Sequence, residues 1–392
     1  MLFFKTKIIF LFIFIPFTLL SQEIEVKTYY NTQKKQIKEI YSAVIGGNDT
    51  IKEGNYQFFF ENGKVMQEGL FANNKLEAEW LINFETGILK SRITFKNSVR
   101  EGKFEHYTES GKLKQSGVNV RNMPEGLIKS FDEDGNVEST TNYKYGLQNG
   151  AFIKYNGKGI REKLLTFKNN KVNGLYESYY ETGELNYRGT KIDTFFVDTL
   201  STFYLNGQLM RKSVYQKGIL HGEFMAYYPN GDSMYHYFYE EGKINSNYRS
   251  FHTNNSLAEK GKYVNDKRVG KWISYYPDSN QIFSEGNYEE NKFSGNWSVY
   301  HLNGKLKQKG AYKNGLSEGN WEFYSENRII TKTGNYIKDE KEGKWTNFDE
   351  LGIPKAHLNY ENDLLNGYSS IRNDKGIFMK VYFKDGKVAK SE

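Results

Sequence analysis

From residue 54 onward, apolar and polar positions recur with a spacing of 24 residues, and within each spacing they alternate with a period of two. A glycine opens most units, as at Gly54, Gly102, Gly126, Gly150, Gly174, Gly222, Gly270, Gly295, Gly319, Gly343 and Gly367; Ala78, Asp198 and Ser246 hold the place where it is missing. The step from Gly270 to Gly295 is 25 residues, and the turn Pro277-Asp278-Ser279-Asn280 absorbs the extra one. A second glycine follows most openers by nine residues, as at Gly63, Gly87, Gly111, Gly207 and Gly304. Two β-rich runs of about seven residues fill each unit, and no 3.6-residue helical pattern survives. This spacing predicts an all-β array, an extended twisted antiparallel meander of about fourteen stacked β-hairpins, in place of a closed enzyme core.

Three ring or aliphatic positions repeat. An aromatic stands two residues after the opener (Tyr56, Trp80, Phe104, Trp272, Trp297, Trp321, Trp345), another five residues after it (Phe59, Tyr107, Tyr275, Tyr300, Tyr324), and the second strand carries an aliphatic such as Leu209 or Leu306 followed six residues later by Tyr or Phe, as at Tyr215 and Tyr312. Asn62, Asn206 and Asn303 tolerate positive φ before the turn glycine, but Thr86, Ser110 and Thr182 at the same place do not. A three-residue loop, type I followed by a glycine bulge, therefore fits better than a two-residue type I′ turn. In that register Tyr300 lies across from Leu306, and simple alternation puts Tyr312 on their face. The expectation is that this is the main apolar face and that the second-position aromatics point the other way, among Lys, Glu and Ser. Fourteen units of two strands extend over roughly 130 Å.

Composition adds boundaries. Aromatics make up 16% of 392 residues, with 37 glycines and 5 prolines, a profile of short strands and tight turns. There is no cysteine, hence no disulfide, thiolate ligand or cysteine nucleophile. The formal charge is +7, and charges of both signs alternate along the strands, which speaks against nucleic acid. Residues 1–21 read as a signal peptide: Lys5 and Lys7, the apolar run Ile8 to Leu20, then Ser21 before Gln22. Without Lys5 and Lys7 the charge falls by two, from +7 to +5. The alternative is an uncleaved anchor beginning at Leu2. Either reading places the body outside the cytoplasm, periplasmic, on the outer surface or secreted, with no stable membrane span after cleavage. Residues 22–53 form a lead-in that caps the first edge, and 54–392 form the array.

The segment GNWSVYHLNGKLKQKGAYKNGLSEG closely resembles the variant MORN repeat, a β-hairpin unit with the pattern G-x-W-x-x-Y, then N-G-x-L, then G-x-Y-x-N-G. The resemblance covers about 340 of the residues and is strongest between Gly54 and Gly117 and from residue 260 onward. It implies the hairpin fold. For function it implies either a scaffold that holds membranes or partner proteins, or the antitoxin of a toxin–antitoxin pair, and it supplies no catalytic residues.

A search for chemistry yields little. The histidines (His106, His221, His236, His252, His301, His357) fall in different units, and only His252 with His301 and His236 with His357 share an offset. Asp132-Glu133-Asp134-Gly135 lacks the spacing of a calcium loop and reads as an ordinary turn. No catalytic, metal or cofactor site is expected. Trp272, Trp297, Trp321 and Trp345 occupy one position in four consecutive units and are the candidate ligand surface, a row that either stacks on sugar rings or fills a repeated core position. The sequence reading is thus an exported, non-enzymatic scaffold with a protein partner, with glycan or peptidoglycan binding through the Trp row, and neutralisation of a toxin, as alternatives.

Overall fold

A computed structural model describes residues 23–46 and 49–391. The leader expected at 1–21 lies outside the described residues. The chain divides into two units, residues 1–159 with 168–170, and residues 160–167 with 171–392. Among the described residues there are thirty-three strands and no helix. In each unit the strands pair antiparallel with their neighbours in sequence, as the glycine spacing requires. The lead-in is itself a hairpin: Glu23–Tyr29 pairs with Ile37–Gly46, which pairs with Asp49–Phe59.

The two kinds of turn differ as their residues demand. Within a unit the loop is closed by His301 N donating to Lys305 O (2.8 Å) and Gly304 N to His301 O (2.9 Å), with only Gly304 in the left-handed region (φ 76°). This is the type I turn with a glycine bulge. The 25-residue step lengthens one such loop, which closes from Tyr276 N to Gln281 O. Between units the turns have two residues, in most of them both left-handed, such as Asn73-Asn74 (φ 50° and 62°) and Asn265-Asp266 (φ 50° and 64°). That type I′ geometry explains the run of Asn, Asp and Gly there.

The register holds at the turn and fails beyond it. Tyr300 does pair with Leu306, but the next pair is Val299 with Gln308, so Lys307 is an extra residue on its strand. The same bulge recurs at Met66, Lys90 and Thr331. One extra residue inverts the alternation after it. Tyr312 therefore faces with Trp297, their ring centroids 6.2 Å apart, and Tyr300 faces the other way. The face assignment expected from simple alternation is thereby corrected. The second-position side chains are the core: Tyr56, Trp80, Phe104, Tyr176, Trp272, Trp321 and Trp345 are each at most 7% exposed. The fifth-position rings are half-buried on the opposite face, where Tyr300 Oη donates to Glu285 (2.7 Å) and Tyr107 Oη to Glu105 (2.6 Å).

Candidate ligand surface

The ring face is assembled from three contributions per unit. The second-position ring lies on the sheet, and the later Tyr or Phe of each adjoining second strand meets it edge-on: Tyr263 and Tyr288 flank Trp272 at 5.1 and 5.8 Å. Likewise Tyr312 and Tyr336 flank Trp321 at 5.2 and 6.0 Å. Such T-shaped contacts suit the ring quadrupole. A cation then covers several of the rings. The Arg268 guanidinium lies 4.2 Å from the Trp272 ring, Lys52 lies 4.5 Å from Tyr56, and Lys191 lies 4.5 Å from Tyr176. Lys332 and Lys341 stand 5.8 and 5.7 Å from Trp345. Burial, followed by the neighbouring charge of Lys341, holds the Lys332 ammonium below the usual lysine range.

The opposite face uses its charges differently. There Lys271 pairs with Glu285 (2.7 Å), Lys309 with Glu322 (2.9 Å) and Arg188 with Glu177 (2.6 Å). Cross-strand ion pairs occur on the ring face too, where Arg268 pairs with Glu259 (3.0 Å) and Lys52 with Glu39 (3.6 Å), but there the same cations also lie over the buried rings.

The four candidate tryptophans do not form an exposed row. Trp272, Trp321 and Trp345 are 1–2% exposed and belong to the core. Trp297 alone is half-buried, and it borders a cavity of about 260 Å³ together with Trp272, Tyr288, Phe293, Val299, Glu259, Ser274, Phe283 and Ser284. On one side of that cavity Arg268 donates to both oxygens of Glu259 (3.0 and 3.1 Å) and to the hydroxyls of Tyr263 (3.2 Å) and Tyr288 (3.3 Å). Burial raises the Glu259 carboxyl above the usual carboxylate range despite Arg268. The sequence reading missed Glu259, Arg268 and Phe293, because only the bulge-corrected register puts them on the tryptophan face. Two larger hollows lie in the first unit. In one of them, about 590 Å³, the carboxylates are already engaged, Glu68 by Gln57 (3.0 Å) and Glu79 by Arg92 (2.8 Å). The other, about 690 Å³, is bordered by Leu127, Val137, Ile153 and Tyr155.

The histidines are distributed as their offsets suggested. His252 and His301 make equivalent contacts, with Nε2 of each donating to a carbonyl one unit ahead, at Tyr275 (3.3 Å) and Tyr324 (3.0 Å). Tyr204, Tyr228 and Tyr276 make the same bond through their hydroxyls at 2.8–2.9 Å. Asp132 caps its own turn, accepting from the backbone of Asp134 and Asn136. No group of three or more His, Asp or Glu side chains suited to a metal ion occurs among the described residues.

The chain carries variant MORN repeats: the family model described as MORN repeat variant matches residues 52–73, 76–97, 100–121, 124–145, 172–190 and 294–314. No protein of curated function matches the sequence. Among solved structures, the chain is similar to the Photorhabdus luminescens Tc holotoxin pore carrying the TccC3-D651A mutation, at 11% identity and a TM-score of 0.17, over 94% of this chain and 21% of that one. It is also similar to the TcdB2-TccC3 crystal structure, at 8% identity and a TM-score of 0.15, over 94% of this chain and 28% of that one. The chain therefore spans between a fifth and a third of the length of these proteins.

Proposed function

We propose that this array of variant MORN repeats is an exported, non-enzymatic scaffold that docks a protein partner along its ring face. One observation carries the reading: in the second unit cations stand over buried rings at Lys191, Arg268, Lys332 and Lys341, of which Arg268 is already paired with Glu259. A charge held over an aromatic plane is partly desolvated and pre-positioned, so a carboxylate meeting it gains more than it gains from a free surface lysine. Each contact is weak, but several on one face add up on a partner that meets them together. The partner that fits presents acidic side chains along an elongated surface.

The test is a pull-down from the envelope fraction with wild type and Lys332→Gln/Lys341→Gln. These side chains lie over the core without filling it, so the variant stays folded while its anion contacts go. Loss of specific partners in the variant supports the docking face, and an unchanged partner set overturns it. A reporter fused to residues 1–21 tests export separately: retention in the cytoplasm removes the envelope as the place of action.

A further inference from the structure

The loop lengthened by one residue before Gln281 leads into the strand Ile282–Glu289, which lines the cavity beside Trp297. In the units of Trp80, Trp272, Trp321 and Trp345, a Cβ built on the opposing glycine meets Cδ2, Cε2 and Cγ, so the five-membered ring lies over the glycine. At Gly286 the contacts are Cε3, Cδ2 and Cζ3 of Trp297, at 1.8, 2.4 and 2.6 Å. The Trp297 indole is therefore turned, with its six-membered ring on the glycine. Its Nε1 makes no hydrogen bond within the protein and is not among the buried polar atoms that lack a partner. Phe293 takes the place that Arg268 and Lys341 hold before Trp272 and Trp345. Its ring lies 4.5 Å from Trp297 and 4.9 Å from Tyr288. The cation is thus replaced by a third aromatic wall.

We propose that this cavity is a binding site for one neutral hexopyranose ring. The walls Trp297, Phe293 and Tyr288 offer flat apolar faces, and Ser274, Ser284 and Glu259 supply hydrogen-bonding groups on the same lining. Ser274 Oγ and Ser284 Oγ are 2.7 Å apart and retain further donor and acceptor capacity. A pyranose matches this division, because its C–H face packs on an aromatic ring while its hydroxyls engage a polar rim. An apolar peptide side chain fills the walls but offers nothing to the hydrogen-bonding capacity that Ser274, Ser284 and Glu259 keep beyond their mutual bond and the Arg268 pair. An anion meets Glu259, and a cation competes with Arg268 for it. At about 260 Å³ the space holds one sugar ring, below the usual range for larger ligands.

The experiment titrates the full chain with methyl β-glucoside, methyl β-galactoside and methyl N-acetyl-β-glucosaminide, read by tryptophan fluorescence and saturation-transfer NMR. Two variants accompany wild type: Trp297→Leu, which removes the platform, and Val299→Phe, which fills the cavity and leaves the indole in place. Saturable binding of at least one glycoside is expected, with Kd on the order of 1 mM, weakened tenfold or more by both substitutions at unchanged circular dichroism. The idea is overturned if no glycoside binds at about ten times that concentration, or if Val299→Phe binds as wild type does. It is equally overturned if N-acetylphenylalanine amide occupies the cavity more tightly than every glycoside, which assigns it to a peptide side chain.

Discussion

The indole of Trp321 lies flat against the Cα of Gly310 on the neighbouring strand, so close that a Cβ there would stand 2.1 Å from Cδ2. The same pair occurs at Gly69 and Trp80, Gly261 and Trp272, and Gly334 and Trp345, with would-be distances of 2.0–2.5 Å. Where the second-position side chain is smaller, the opposing residue can be larger: Ile93 faces Phe104 across the same eleven-residue offset. The ladder is packed as complementary volumes, one large and one small, in a layer only a single side chain deep.

Gly310→Ala therefore creates a collision, and its cost is expected to be about 1–3 kcal/mol. Trp321→Leu eases it, since a Cβ at Gly189 meets only the flexible Cδ1 of Leu200 (2.9 Å), so the double variant is more stable than additivity predicts. Because stability in an array is local, hydrogen exchange at Lys309–Tyr312 is the appropriate readout alongside urea melting. Additive effects of the two substitutions exclude steric coupling between the residues.

Truncation separates the core tryptophans from the exceptional one. Trp321→Ala leaves a cavity in a layer without a second sheet to close it, and about 3–5 kcal/mol of local stability is lost. Trp297→Ala, at a half-buried ring with open space beside it, costs less than half as much. Equal losses in urea melts of the two variants mean that Trp297 is as much a core residue as the others.

The glycine ruler, the all-β class and the turn inside the unit are legible in the sequence because they depend on local chemistry: which residues accept positive φ, and where. The faces are not. A bulge at Lys307 and its equivalents is written in no residue type, since Met66, Lys90 and Thr331 fill the same place, yet it decides which ring of each unit is core. The glycine facing each tryptophan is visible as a motif letter, but its reason, contact with a ring eleven residues away, needs the register. Ala78 and Asp198 show the limit of the opener rule: both take φ 57°, so the backbone keeps its conformation where glycine is lost.

His301 and its equivalents staple successive loops. His301→Tyr keeps a donor within reach of the Tyr324 carbonyl, as Tyr204, Tyr228 and Tyr276 have at their own positions, and is expected to be neutral. His301→Phe removes the donor and costs about 1 kcal/mol. Exchange protection of the loop 325–329 reads the difference, and equal protection in the two variants dismisses the staple.

The rings of the core also set the alkaline limit of the fold. Burial, the leading cause, pushes the Tyr248 hydroxyl up to about 12, and it raises Tyr56 (helped by Glu39), Tyr176 (by Tyr187) and Tyr237 (by Tyr239) as well. In the unfolded chain these phenols ionise near 10. The folded state therefore holds its protons more tightly, and each group contributes stability that is complete below pH 10 and is lost as pH rises through the folded value. Unfolding is expected to set in between about pH 10 and 12, with loss of β circular dichroism accompanied by a second rise in tyrosinate absorbance as the buried phenols ionise after the exposed ones. Tyr248→Phe, which has no phenol to ionise, moves that step to higher pH. If instead all the tyrosines titrate in one phase near pH 10 while the sheet stays intact, the ladder is solvated and the burial that underlies the ring face is wrong.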